Sequence, residues 1–399
     1  MRRTGNRFDL TAAILIAAGA TSHFLVASPL AALFDPLGAE LLLPVAGLAV
    51  LAWSGWKTGR VGIRRSVLAL AGAATLSIGV RDRLAHRRIQ VGFTNGEVRL
   101  AGTLFLPRDG APHPAAVLVH GSSPGTRGVF RPIANALGER GVAALAYDKR
   151  GFGRSGGTLP YTYRQLAGDA AAAVRYLRRR PEIDSSAVGL VGFSEGGWTA
   201  PLAASRLADP AFLVVVSGGG LSPAEQELWE MRTRLDGKGF GPEATTRALR
   251  LQGRLNRFHR TGRDADRTMA AIRRAESEPW FEAAFELAPE DVPGSLDSIE
   301  YEHDPTELDF DALPVIARLR APELFIFGGR DRLVPPRRSA LQIRAAARRA
   351  GRREPEIVFF PGANHLILAG SLGAALPLAR FAPGYLDTLG VWIHRSVSE

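Results

Sequence analysis

Apolar positions along the chain fall into two textures, which change near residue 89. Before that point they run without interruption. Residues 10–34 (LTAAILIAAGATSHFLVASPLAALF) contain no Asp, Glu, Lys or Arg over 25 positions, and a helix needs about 20 apolar residues to cross the hydrocarbon core of a bilayer. Residues 41–56 follow a short turn carrying Asp35 and Glu40, with Trp53 and Trp56 at the far end, where interfacial aromatics are expected. A third run, 66–80, is 15 residues long. At 1.5 Å per residue it reaches about 22 Å, short of a core of about 30 Å. These runs predict a membrane anchor over 1–88 with two or three transmembrane helices. A cleavable signal peptide would account for the first run alone.

From residue 89 short apolar runs alternate with helix-length segments. IQVGFTNGEVRLAGTLFLP (89–107) sets an Asn-Gly pair between alternating runs, which predicts a β-hairpin. Apolar runs ending in glycine-containing turns follow at 115–121, 142–151, 187–197, 211–220, 323–331 and 356–365. Continuous apolar strands separated by helical segments predict a mostly parallel sheet with helices on both faces, an α/β domain over 89–397. Between Gly220 and Glu323 the strand texture stops, which predicts a helical cap inserted at about 221–315. Its charges are sorted: residues 230–275 carry twelve basic and five acidic side chains, and 276–311 carry thirteen acidic and no basic ones. Two helical halves packing with complementary charge is the favoured reading; a lid whose basic half attracts an anionic substrate is the other.

Composition narrows the field. With 46% apolar and 22% charged residues in 399, the chain is not a disordered one. It has no cysteine, which excludes a disulfide scaffold, a thiolate metal site and a cysteine nucleophile. Net charge is 50 − 39 = +11. Residues 1–90 hold eleven basic and four acidic side chains, so +7 of it brackets the apolar runs. A nucleic-acid binder would carry its excess on the folded domain, interleaved with aromatics; here the partner expected is a membrane and not a nucleic acid. Basic flanks favour the cytoplasmic side. Two spans keep the N-terminus, the Lys57–Arg65 loop and the rest of the chain inside. A third span would carry Arg81, Arg83, Arg87 and Arg88 outside, so charge favours a cytoplasmic α/β domain with 66–80 at the interface or against the domain.

The candidate chemistry centres on Gly192-Phe193-Ser194-Glu195-Gly196, which follows a strand and opens a helix. This is a G-x-S-x-G nucleophile elbow: the serine sits on a sharp strand-to-helix turn, where side chains two positions either side would meet backbone. A serine hydroxyl needs a general base held by a third group. On such a sheet the partners come in the order Ser, Asp or Glu, His, each after a strand end. Asp331 closes ELFIFGGRD and His365 closes EIVFFPGANH. Of eight histidines only His120 and His365 end predicted strands; His120 is read as orienting its loop. An oxyanion hole requires two backbone N–H donors, assigned to Glu195, at a helix N-terminus, and Ser122, in the loop after AAVLVHG.

These pieces, HGSSPGTRG (120–128), DKRGFGRS (148–155), GFSEGG (192–197), GGRDRLVP (328–335) and PGANH (361–365), resemble the α/β-hydrolase superfamily over about 89–397. The likeness is greatest to bacterial serine hydrolases of the serine aminopeptidase and acyl-CoA thioesterase-like group. The resemblance implies an α/β-hydrolase fold and a Ser194–His365–Asp331 triad. Within it, Gly151 to Gly156 is a structural turn braced by Asp148 and Arg150. As a dinucleotide fingerprint G-x-G-x-x-G would open a helix and place an acid about 20 residues on, whereas Thr158-Leu159-Pro160 follows and position 176 is Tyr176. No histidine pair has metal-ligand spacing on a helix, and no cofactor is expected. Trp280, Phe281 and Phe285 are read as an ordinary hydrophobic helix face before an acyl pocket.

The expected function is a membrane-tethered serine hydrolase cleaving a small-molecule carboxylic ester or thioester. An aminopeptidase, which would need an acid such as one from 276–311 to hold the substrate ammonium, is the runner-up. A non-enzymatic interaction scaffold would predict decay of the triad, which is intact in the sequence.

Overall fold

The computed structural model describes residues 86–398 apart from 109, 111, 123, 124, 299–303 and 370–379, and Leu48 of the segment before them. The runs 10–34, 41–56 and 66–80 therefore lie outside the described residues, Leu48 excepted. No helix among the described residues is long and apolar enough to cross a membrane.

The domain is built on an eight-stranded sheet in the order β1-β2-β4-β3-β5-β6-β7-β8. The hairpin β1 (His86–Asn95) and β2 (Val98–Pro107) forms one edge, with Asn95 paired to Val98. Its corner is thus Gly96-Glu97, one residue beyond the Asn-Gly step, and Gly96 takes φ +58, the positive φ that a tight hairpin demands of its first corner residue. β2 runs antiparallel to β4 (Ala143–Tyr147). β3 (His113–Val119), β4, β5 (Ile183–Phe193), β6 (Leu213–Val216), β7 (Glu323–Gly328) and β8 (Glu356–Phe360) are parallel.

Period-two alternation fills both faces of this sheet. Val117, Leu145, Leu190, Val215 and Phe325 pack on one side, and Leu118, Ala144, Val191, Val214 and Ile326 on the other, all buried. That is why the strands read as unbroken apolar runs. α1 (Arg131–Gly138), α2 (Tyr163–Leu177) and α3 (Gly196–Ala204) cross between the early strands. β4 pairs on one side of β3 and β5 on the other. The chain thus reverses its direction of progress between β3 and β5, and a crevice at their carboxyl ends is where ligands bind in open α/β sheets.

Between β6 and β7 the chain is helical: α4 (Pro223–Gly237), α5 (Pro242–Thr261), α6 (Ala265–Ala275), α7 (Phe281–Phe285) and α8 (Leu313–Ile316). α4 starts from a capping box of Ser222 and Glu225, and α5 stops at Gly262 in the left-handed region. Trp280 and Phe281 are buried with Met231, Leu235, Ala248 and Leu251 in the insertion's own core, so they form the hydrophobic face and not an open pocket. The sorted charges meet: Arg247 pairs with Glu278 at 2.8 Å, Arg260 with Asp309 at 2.6 Å and Arg234 with Glu286 at 3.4 Å. α9 (Pro336–Arg349), the two-residue strands β9 (Leu368–Ala369) and β10 (Arg380–Phe381), and α10 (Tyr385–Ser398) complete the described chain.

One buried acid makes stability pH-dependent. Glu323 opens β7 with its side chain 2% exposed, 3.3 Å from Arg352. Burial pushes its carboxyl up to about 7, against the opposing pull of Arg352. A carboxyl raised in the folded state binds its proton more tightly than in the unfolded chain, so stability is full below about pH 4.5 and falls as pH rises through about 7. Glu323→Gln removes this loss. Its stability relative to wild type is expected to rise by on the order of 2 kcal/mol between about pH 5 and about pH 9. Thermal unfolding at the two pH values checks this; an unchanged difference would show that Glu323 is not the group responsible.

Candidate active site

Ser194 stands at the carboxyl end of β5, one residue before Glu195, the N-cap of α3. Its φ is +53, a conformation that non-glycine residues occupy only when the surroundings impose it. Here the surroundings are backbone. The Ser194 N–H donates to the Val216 carbonyl at 2.9 Å, and the Gly197 N–H donates to the Ser194 carbonyl at 2.7 Å. A Cβ at Gly192 would lie 2.3 Å from the Gly196 carbonyl oxygen, and one at Gly196 would lie 2.8 Å from that of Val119. The glycines two positions either side of Ser194 are therefore required by close approach, and the serine is left half-buried at the crevice.

His365 and Asp331 come from the loops after β8 and β7. Their side chains meet, His365 Nδ1 lying 2.8 Å from Asp331 Oδ2. Asp331 is fully shielded, and its other oxygen accepts the N–H groups of Leu333 at 2.8 Å and Val334 at 3.0 Å. Nδ1 donating to the carboxylate fixes the ring's orientation and leaves Nε2 as the nitrogen not engaged by Asp331. The histidine loop is pinned from below: a Cβ at Gly328 would lie 2.1 Å from the Asn364 carbonyl oxygen. Among the described residues no hydrogen bond joins the Ser194 hydroxyl to His365. The two are bridged by the end of β6, where Ser217, at φ +55, donates its hydroxyl to the His365 carbonyl at 2.8 Å. Next to it, Gly218 approaches so closely that a Cβ there would lie 2.3 Å from the Ser194 carbonyl oxygen.

The loop after β3 borders the same serine. A Cβ on Gly121 would lie 3.3 Å from that of Ser194, and Ser122, the next residue, is exposed. Lys149 ties this loop to the elbow. Its Nζ donates to the Gly121 carbonyl at 2.9 Å and to Glu195 Oε2 at 3.0 Å, and stands 4.3 Å from the Tyr161 ring centroid. Lys149 and Ser217 were not singled out from the sequence. Lys149 sits within the DKRGFGRS motif, the one signal that could have raised it; Ser217 has only its place before a glycine run.

His120, by contrast, is sealed in. Its Nε2 donates to the Tyr147 carbonyl at 2.6 Å, its ring packs 4.5 Å from Phe130, and burial lowers its pKa to about 3. It is neutral at any working pH and orients its loop. Asp148 accepts the N–H groups of Arg127 at 2.9 Å and Arg154 at 2.8 Å, and a Cβ at Gly153 would lie 2.6 Å from its carboxylate. Arg150 grips Asp169 with two bonds of 2.9 and 2.6 Å. The glycines of 151–156 thus serve a carboxylate-centred turn and not a nucleotide.

A family model described as the alpha/beta hydrolase family matches residues 116–380. Esterase EstD of Thermotoga maritima is 28% identical over 296 residues, which are 72% of this chain and 62% of EstD. Human acyl-coenzyme A thioesterase 1 is 32% identical over 123 residues, 30% of this chain and 27% of that protein. The chain thus spans less than two thirds of the length of either relative. Among solved structures, the Pyrococcus furiosus esterase Pf2001 aligns with a TM-score of 0.49 at 18% identity, covering 79% of this chain and 95% of that one.

Proposed function

The chain belongs to the alpha/beta hydrolase family, and from that premise we propose that it is a serine hydrolase acting on a carboxylic ester or thioester through an acyl-enzyme. The observation that carries the reading is Ser194 held at φ +53 on a strand-to-helix elbow, on the same sheet end as an imidazole bonded to a shielded carboxylate. The names of the relatives, an esterase and an acyl-coenzyme A thioesterase, favour the same substrate class.

In the proposed reaction Ser194 Oγ attacks the acyl carbon while His365 Nε2 takes its proton. Asp331 orients the ring and balances the imidazolium charge. The oxyanion of the tetrahedral intermediate accepts the N–H groups of Ser122 and Glu195, the latter favoured by the start of α3. Collapse expels the alcohol or thiol, which leaves with the proton from His365. Water, deprotonated by the same nitrogen, then cleaves the acyl-enzyme and restores the serine. Helices α4–α8, which leave the sheet just after Ser217 and Gly218, are proposed to cap this crevice. Residues 10–34 and 41–56 are proposed to tether the hydrolase to a membrane, with 66–80 at the interface or against the domain and the domain on the cytoplasmic side, the side that the basic flanks favour.

A fluorophosphonate probe is expected to label the wild-type chain and to spare Ser194→Ala. Equal labelling of both by gel fluorescence would remove Ser194 as nucleophile.

A further inference from the structure

The end of the sheet opposite Ser194 is strongly basic, and the chain enters the domain there. The register fixes the geometry. β1 pairs His86 with Pro107, at the end of β2, and β2 pairs Phe105 with Ala144, at the start of β4. β4 runs parallel to β3 and β5, so His86 lies at the strand-entry end while Ser194 lies at the strand-exit end. The chain therefore enters the domain at His86 on this side, and the uncharged apolar runs precede that point in the sequence.

The loops leading into the parallel strands share that end; arginine dominates those before β5, β7 and β8, whereas those before β3, β4 and β6 carry one arginine and one acid each. The three entry segments 178–182, 317–322 and 348–355 carry nine arginines and two glutamates. Arg179, Arg320, Arg349 and Arg353 are exposed and make no ion pair among the described residues. Between the entries of β7 and β8 the face is indented by a recess of about 570 Å³ that includes Arg320, Arg352, Arg353 and Arg395. Its three glutamates are already engaged: Glu323 with Arg352, Glu354 with Arg348 and Glu356 with Arg395. Arg320 and Arg353 are left to face an outside anion.

We propose that this strand-entry face docks on the anionic headgroups of the membrane to which the chain is tethered, holding the Ser194 crevice away from the bilayer. The proposal takes its geometry from the tether reading above. Polybasic surfaces next to a membrane segment partition onto anionic lipid by about fivefold per basic residue, an attraction that salt screens within a Debye length. A tether at the same end of the domain keeps the face within that distance. Anionic lipid is the occupant favoured over nucleic acid because the adjoining chain is apolar and the aromatic that lines the recess, Trp392, is buried and bonded to Glu356, so it offers no open face for a base to stack on.

The absence of cysteine from the chain makes a site-specific test direct. Full-length Ser185→Cys and Ala350→Cys place a fluorophore at exposed positions on this face, and Ala270→Cys places one on the helical insertion. Each is reconstituted in vesicles of phosphatidylcholine alone or mixed with phosphatidylglycerol, and read by acrylamide quenching. Labels at 185 and 350 are expected to be protected on the anionic vesicles only, to lose protection at high salt, and to leave the label at 270 unchanged. Reversing Arg179, Arg320, Arg349 and Arg353 to Glu is expected to abolish the protection, with turnover of a soluble ester unaltered. Equal quenching on both vesicle types, protection at 270 instead, or protection by an RNA oligonucleotide and not by vesicles would overturn the proposal. Flotation with phosphatidylcholine vesicles reports the tether separately. Failure to float there, with 185 and 350 still protected on anionic vesicles, would overturn the tether and support the docking face.

Discussion

Ser194→Ala and His365→Ala are each expected to lower kcat on a small acyl ester by about 10⁴- to 10⁶-fold, with KM changed far less. In the proposed reaction the serine supplies the bond-forming oxygen, and the histidine is the base whose ring is bonded to a shielded carboxylate. Asp331→Asn is expected to cost about 10⁴-fold. The amide can present its NH₂ to Nδ1, favouring the tautomer with the proton on Nε2, where it cannot accept from the serine. Because the three act as one unit, Ser194→Ala/His365→Ala should be no slower than either single variant. Steady-state rates of purified variants on an activated ester decide this. Multiplicative losses in the double variant, or near-wild-type turnover of Ser194→Ala, would mean that ester cleavage does not run through this serine. The Leu333 and Val334 N–H bonds to Asp331 make the carboxylate position independent of His365, so the aspartate stays in place when the imidazole is removed.

What the sequence made legible was chiefly local. The G-x-S-x-G spacing could be read because its glycines answer to backbone nearby: the atom that a Cβ at Gly192 would strike belongs to Gly196. The strands could be read because burial on both faces leaves no polar positions in Leu213–Val216 or in the centre of β7. Contacts between distant segments left no such trace. Ser217 reaches His365 across 148 positions and Lys149 reaches Glu195 across 46, and neither spacing is a motif. The hairpin corner slipped by one residue from Asn95-Gly96 to Gly96-Glu97 because β1–β2 pairing, more than the dipeptide itself, set the turn. Trp280 and Phe281 could have faced a pocket or a core from their spacing alone; Met231 and Leu251, from other helices, make it a core. The same limit applies to charge. The arginines before β5, β7 and β8 are scattered over some 170 positions of sequence, and only the parallel sheet gathers them on one end.

Lys149→Met is expected to destabilise the domain by about 3–5 kcal/mol, the cost of leaving a buried charge without its partner. Lys149 and Glu195 are each 2% exposed and 3.0 Å apart, so water cannot replace either one. The methionine keeps most of the aliphatic volume but removes the ammonium that Glu195, the Gly121 carbonyl and the Tyr161 ring all face. Glu195→Gln alone also leaves a buried charge without its counter-charge but is expected to cost less, because the amide oxygen and the Gly121 carbonyl still accept from the Lys149 ammonium. Lys149→Met/Glu195→Gln should recover part of the loss, giving a favourable coupling between the two positions in a double-mutant cycle. The consequences reach the active site, since Lys149 holds the loop after β3 against the elbow. Both proposed oxyanion donors follow groups bonded to it or belong to them: Ser122 follows Gly121, and Glu195 is itself the ion-pair partner. Lys149→Met is therefore expected to slow fluorophosphonate labelling of Ser194 at a temperature where the variant is fully folded. Urea unfolding measures the first effect and labelling rate the second. Unfolding at the wild-type urea concentration would show that the pair carries no net stability, and an unchanged labelling rate would show that it supports the fold without setting the oxyanion geometry.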